Sequence, residues 1–207
     1  MGLFRKYVNQ TRKPEGFLGK LMIIGMNSGH ARMADWGMGY LEGIAPQMIV
    51  DLGCGGGRNV GALLKKYPSA KGTAVDYSEL SVEKAKAFNA GVISKGRLEV
   101  KQGDVSSLDL PDGTYDLATA FETIYFWPGL EKCFKEVARI LKEGGIFLIS
   151  NESDGEDATS LKFEKIIDGM KCYTPEQISE ALRAAGFSKV TTDHHPSKPW
   201  ITVIAKK

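Results

Sequence analysis

Cysteine is scarce in this chain. Its 207 residues hold only Cys54, Cys133 and Cys172, an odd number with no C-x-x-C spacing. That excludes a disulfide framework and the usual structural zinc sites, so no metal is expected, and a reducing, cytoplasmic setting is. Excess charge is missing too. Lys and Arg number 27 against 25 Asp and Glu, a net charge of +2, and the isoelectric point is about 8.3. A dedicated nucleic-acid binder is more basic and carries its cations in a stripe, whereas Lys65–Lys66 is an isolated pair, so no nucleic-acid partner is expected. Long apolar runs are also absent. The stretch from Phe17 to Met26 is interrupted by Lys20 and is too short to span a bilayer. Arg5, Lys6, Arg12 and Lys13 precede it, but no small-x-small cleavage site follows, which argues against a signal peptide. There is no internal repeat, low-complexity tract or long linker. What remains is one globular domain, expected as a monomer or homodimer.

The informative stretch is Ile49–Val50–Asp51–Leu52–Gly53–Cys54–Gly55–Gly56–Gly57–Arg58–Asn59. An apolar run ends in an acid and then in a loop that is mostly glycine. Behind it, Val60, Leu63, Leu64 and Tyr67 fall on one helical face. The order is strand, tight turn, helix. Glycines let backbone N–H groups approach a ligand, and a helix N-terminus adds free donors and partial positive charge. This is a nucleotide-type site. It is not the dinucleotide fingerprint G-x-G-x-x-G, whose third glycine would fall on Arg58 or Val60. A second strand, Lys71 to Val75, ends in Asp76, about 20 residues past the loop, where an acid can accept both ribose hydroxyls of an adenosine.

The run Asp-Leu-Gly-Cys-Gly-Gly-Gly resembles the D-x-G-x-G-x-G motif I of class I S-adenosylmethionine-dependent methyltransferases. The resemblance covers roughly Ile49 to Ile149. It includes Glu136 to Gly145, similar to the family's helix-to-strand-five signature except that Glu143 stands where proline is usual. It is closest to the small-molecule branch with the ubiquinone and menaquinone biosynthesis enzymes. It implies S-adenosyl-L-methionine as cofactor, held by Asp51, Gly53, Gly55, Gly57, Asp76 and Tyr77. It also implies that Asp104 meets the adenine amino group at the end of strand three, with Val105 and Phe121 beside it. The implied fold is an α/β Rossmann-like, doubly wound sheet of seven strands, mostly parallel with the last antiparallel.

The rest of the chain fits that frame. Residues 1–13 read as a flexible arm, and Phe17–Met26 and Gly29–Met38 as helices. Residues 1–45 would then form a helical lid ahead of a cofactor-binding domain over 46–207. Leu80, Ala87 and Phe88 are expected to point inward from the helix after Ser78. Tyr115–Phe121 is a buried strand, followed at the same sheet edge by Glu122–Thr123–Ile124–Tyr125–Phe126–Trp127–Pro128. His30 and Glu122 are candidate general bases, with Tyr125 as an orienting hydroxyl. Asn27, Trp36, Phe126, Trp127 and Asn151 are candidates for the substrate pocket, and Glu152 is a further residue that can face it. Thr174–Pro175–Glu176–Gln177 reads as a capping box. His194 and His195 sit between the last two strands, at a hairpin expected to open on the active-site edge, with a solvated tip as the plainer reading.

The expected reaction is methyl transfer to a small-molecule acceptor by in-line displacement. A nucleic-acid or protein methyltransferase is the first alternative, although Phe121–Glu122–Thr123–Ile124 departs from the Asx-Pro-Pro-aromatic motif of amino-directed nucleic-acid enzymes. A nucleotide-binding module without catalysis is the second.

Overall fold

The computed structural model of the protein describes residues 3–207. Met1 and Gly2, at the start of the expected arm, lie outside the described residues. From Leu3 the chain is helical rather than loose. Helix α1 (Leu3–Val8) runs into a 3-10 turn over Asn9–Thr11. Distant partners hold it. Arg5 pairs with Asp168 at 2.7 Å, and Asn9 Oδ1 accepts the Asp168 backbone N–H at 2.8 Å. A local reading of the sequence has no access to a partner that far along the chain.

Helices α2 (Gly16–Gly29) and α3 (Ala31–Gly39) follow, with His30 at the break between them. The strands are β1 (Met48–Leu52), β2 (Lys71–Asp76), β3 (Leu98–Gln102), β4 (Tyr115–Phe121), β5 (Leu141–Asn151), β6 (Lys189–His194) and β7 (Ile201–Lys206). They form one sheet in the order β3-β2-β1-β4-β5-β7-β6. Strand β7 runs antiparallel to both its neighbours, and the other pairs are parallel. The mostly parallel seven-stranded sheet expected from the sequence is the one observed.

The remaining helices are α4 (Arg58–Lys66), α5 (Glu79–Phe88), α6 (Ala90–Ile93), α7 (Leu130–Ile140), α8 (Ala158–Glu164) and α9 (Pro175–Ala184). Alternation along the strands feeds two cores, one on each face of the sheet. Val50, Leu52, Ala118, Ala120, Phe147 and Ile149 meet α7 and α9. Ile49, Leu117, Phe121 and Leu148 meet α3, α4 and α5. Helix α9 opens with the expected capping box between Thr174 and Gln177, with proline at its start.

Two expectations change. Helix α3 is a layer of the sheet, not a lid. Ala34, Met38 and Leu41 are in its core, and a Cβ on Gly37 would collide with Ser150 of β5. Helix α5 is rotated from the expected face. Ser81, Val82 and Ala85 are buried, whereas Leu80 is half-buried and Ala87 and Phe88 are exposed. Its N-cap Ser78 is pinned by a hydrogen bond to the Pro14 carbonyl at 3.0 Å, which fixes the helix's rotation from outside its own sequence.

Strand β1 sits between β2 and β4, so the chain winds away from it in both directions. In open α/β sheets the crevice beyond the carboxyl ends of such strands is where ligands bind.

Candidate active site

That crevice holds a cavity of about 570 Å³, within the size range of a small-molecule site. Its floor is the Gly loop, where Gly53, Cys54, Gly55 and Gly56 line it. The loop turns with positive φ at Gly53 (74°) and Gly55 (52°), which favours glycine at both. Beyond the backbone angle, a Cβ at Gly53 would collide with the Thr123 side chain, and one at Gly56 with Asn27. The loop is thus clamped between the segment after β4 and α2. Gly53→Ala is expected to lower stability by about 2 kcal/mol or more, read as a lower urea midpoint with unchanged m-value; a wild-type midpoint would show that the clamp gives way freely.

Asp76 closes one side. Its carboxylate accepts the N–H of Gly55 at 2.8 Å and that of Ser78 at 2.9 Å. Burial pushes its pKa up, and those two donors oppose the shift. Tyr77, Asp104 and Val105 continue this wall, and Phe121 lines the cavity at the end of β4. Asp104 keeps its place through the Ser106 N–H, which donates to its Oδ1 at 2.8 Å.

Two of the residues expected on the cofactor lie elsewhere. Asp51 does not line the cavity. It is buried under the loop, where its Oδ1 accepts the Thr119 hydroxyl at 2.8 Å and its Oδ2 has no partner among the described residues. Burial pushes its pKa up to about 7, reinforced by the Asp76 charge and opposed by the Thr119 hydroxyl. The folded chain therefore holds a proton that an unfolded aspartate releases, and Asp51 subtracts stability as pH rises from the usual aspartate value to about 7. Asp51→Asn is expected to melt above the parent at about pH 7.5 and to lose that advantage at about pH 4. A constant difference across the range would contradict the burial argument. Gly57 also turns away from the cavity. It caps α4 with φ 79°, and a Cβ there would press on Ala85 and Asn89, so it serves the contact between α4 and α5.

Cys54 lines the loop, and burial raises its thiol well above the ordinary value. A thiol held protonated is not a reactive nucleophile.

The opposite end of the cavity is built by the segment after β4. Glu122 is the one non-glycine residue with positive φ (57°) among the described residues, a strained conformation of the kind that clusters at functional sites. Its backbone N–H donates to the Ser150 carbonyl at 3.0 Å. Its Oε1 accepts both the Tyr125 hydroxyl, at 2.9 Å, and the Glu152 N–H. The Tyr125 hydroxyl in turn accepts the Ser153 N–H at 3.2 Å, which fixes the direction of its proton. His30, at the break between α2 and α3, comes in from above. Its Nδ1 lies 3.2 Å from Glu152 Oε2 and 3.8 Å from Glu122 Oε2. Burial pushes Glu122 up to about 7, with Glu152 adding to the shift and His30 opposing it. Burial alone would lower His30, but the two carboxylates outweigh it and its pKa is raised.

Apolar side chains complete the enclosure. Met22 and Met26 face in from α2 and Phe163 from α8, with Phe126, Ile167 and Met170 from the loops. Trp127 belongs to wall and core together, since it stacks on Phe147 with ring centroids 6.3 Å apart. Asn27 lines the cavity beside Gly56.

Trp36 and Asn151, both expected on the substrate, are not in the cavity. Trp36 points out from α3 into a cluster with Tyr40, His195 and Trp200. That cluster also accounts for His195, while His194 is exposed at the end of β6; neither lines the cavity. Asn151 is fully buried at the end of β5. Successive strand residues point to opposite faces, and Glu152, one step on, reaches the cavity instead. Among the lining residues that local reading left out, Phe163, Ile167 and Met170 carry no motif of their own. Helix α8, at seven residues, is too short to show a period.

A cradle of glycine backbone, an acid closing it from the end of β2, and a polar cluster across the cavity are the features of a nucleotide-type site. The comparisons agree. The chain matches the family described as a methyltransferase domain over residues 50–149. It is 29% identical over 163 residues to a sterol 24-C-methyltransferase of Gibberella zeae, covering 74% of this chain and 42% of that one. It is 27% identical over 176 residues to a malonyl-[acyl-carrier protein] O-methyltransferase of Geobacter sulfurreducens, covering 77% and 65%. The chain thus spans 42% to 65% of the length of these two curated relatives. In fold it is similar to the methyltransferase solved in complex with the Haloferax volcanii Trm112 methyltransferase activator, with a TM-score of 0.81, 20% identity, and 100% and 98% of the two chains covered.

Proposed function

We propose that the protein transfers a methyl group from S-adenosylmethionine to a small-molecule acceptor. The observation that carries this reading is Asp76 beside an open glycine cradle at the switch point of the sheet. The residues fit the cofactor. Gly55, whose Cβ position is open space, leaves room for it. Asp76 would hold the ribose hydroxyls, with Asp104 and Val105 at the adenine and Gly53 to Gly56 at the amino-acid end. When bound, the cofactor supplies a methyl group already activated on a sulfonium.

The protein's part is placement and proton handling. The apolar wall of Met22, Met26, Phe126 and Phe163 suits an acceptor with an apolar body. The His30–Glu122–Glu152 cluster suits the acceptor's nucleophilic end, where it draws off or weakens the proton on the attacking atom. Tyr125 orients Glu122 for that task. The relatives act on carbon in one case and oxygen in the other, so the acceptor atom is read from this cluster and not from them. The resemblance over Ile49 to Ile149, closest to the branch with the quinone-biosynthesis enzymes, makes phenolic acceptors the first to try. No described helix is long and apolar enough to cross a membrane, and we read the protein as cytoplasmic, a monomer or homodimer, with no nucleic-acid partner.

A thermal-shift comparison tests the cofactor. S-adenosylmethionine and S-adenosylhomocysteine are expected to raise the melting temperature, while NAD and NADP leave it unchanged. Stabilisation by NAD alone would overturn the reading.

A further inference from the structure

We propose that His30, Glu122 and Glu152 together hold a divalent cation of the Mn²⁺ or Zn²⁺ type. One ligand atom from each lies within 4.8 Å of those from the others. His30 Nδ1 lies 3.2 Å from Glu152 Oε2 and 3.8 Å from Glu122 Oε2, separations that two ligands of one ion have at ordinary bond lengths of about 2.0–2.2 Å. The direct contacts between the three are poor. His30 Nδ1 is buried and has no hydrogen-bond partner among the described residues, although Glu152 Oε2 is only 3.2 Å away. The atoms surround a common point more than they bond to one another.

The outer contacts are those of a prepared ligand set. Glu122 has one oxygen taken up by the Tyr125 hydroxyl and the Glu152 N–H, which aims its other oxygen at the shared point. A ligand carboxylate fixed in this way by hydrogen bonds is the usual support of a metal site. Two carboxylates in one apolar pocket repel, and a dication neutralises both where a single imidazolium cannot. One nitrogen and two carboxylate oxygens, with the remaining positions open to the cavity, make a three-ligand site of the catalytic kind. The scarcity of cysteine does not bear on it. The three ligands stand at positions 30, 122 and 152, and only the fold brings them together.

The role of the ion rests on the methyl-transfer reading; its binding does not. In that reading it takes an oxygen of the acceptor into an open position, which narrows the acceptor to one presenting a hydroxyl, enol or carboxylate.

The test is equilibrium dialysis of the chelator-treated full chain against Mn²⁺ and Zn²⁺, with metal content measured per chain. About one ion per chain is expected, and Glu152→Gln and His30→Ala are each expected to weaken it at least about tenfold. Circular dichroism on the same samples reports on folding, and S-adenosylhomocysteine binding by calorimetry reports on the cofactor separately. Retained binding of that ligand with no stoichiometric metal would overturn the proposal and leave the cofactor reading standing. So would metal bound equally well by both variants. Metal uptake lost in the variants, with no S-adenosylhomocysteine binding by any sample, would support the ion and remove the cofactor.

Discussion

Asp76→Ala is expected to lower the affinity for S-adenosylhomocysteine by about 100-fold, measured by titration calorimetry. A carboxylate accepting two hydroxyls makes two charge-assisted hydrogen bonds, each worth about 1.5–3 kcal/mol, and about 1.4 kcal/mol is tenfold in binding. A second loss adds to the first. The same carboxylate receives the N–H groups of Gly55 and Ser78, so the alanine also releases the loop that forms the cradle. Asp76→Asn separates the two effects. It can still accept one loop N–H but has lost the charge, and an intermediate affinity is expected. Wild-type affinity in the alanine variant would remove Asp76 from the cofactor.

Glu122→Gln is expected to lower turnover by about 100-fold or more while leaving S-adenosylhomocysteine affinity within about threefold. The amide keeps an oxygen for the Tyr125 hydroxyl and the Glu152 N–H, so the strained turn keeps its supports. It loses the charge that acts on the acceptor's proton. Tyr125→Phe is expected to cost less, since the phenol only orients Glu122. A loss of affinity as large as the loss of turnover would make Glu122 a structural prop of the cofactor site. Unchanged turnover would take the cluster out of the chemistry altogether.

The sheet was legible because its signals are local. An apolar run closed by Asp51, a helical stripe of Val60, Leu63 and Leu64, and an acid at Asp76 each lie within one element and its turn. Their sum specifies a doubly wound fold before any contact is known. The same holds for the capping box at Thr174, whose partners are three residues apart.

What was not legible depends on contacts between distant parts. Helix α1 is held by Asp168, so residues with no period of their own still form a helix. Gly57 carries the motif but faces α5, because a Cβ there would meet Ala85 and Asn89, which lie far along the chain. Asn151 and Glu152 differ by one position in register, and a strand end assigns opposite faces to neighbours. Trp36 stands out by residue type in the N-terminal helical region, but residue type does not say which way it points. Its partners Tyr40, His195 and Trp200 form a separate cluster on the outer side of α3. The cluster of His30, Glu122 and Glu152 shows both cases. The first two stand out by residue type, yet nothing in the sequence says that they meet.

A crystal structure of the protein with S-adenosylhomocysteine tests the account most directly. The ligand is expected in the cavity over the Gly loop, with both ribose hydroxyls on the Asp76 carboxylate and the sulfur turned toward Glu122. A cavity left vacant at saturating ligand, or a bound ligand whose ribose lies away from Asp76, would contradict it.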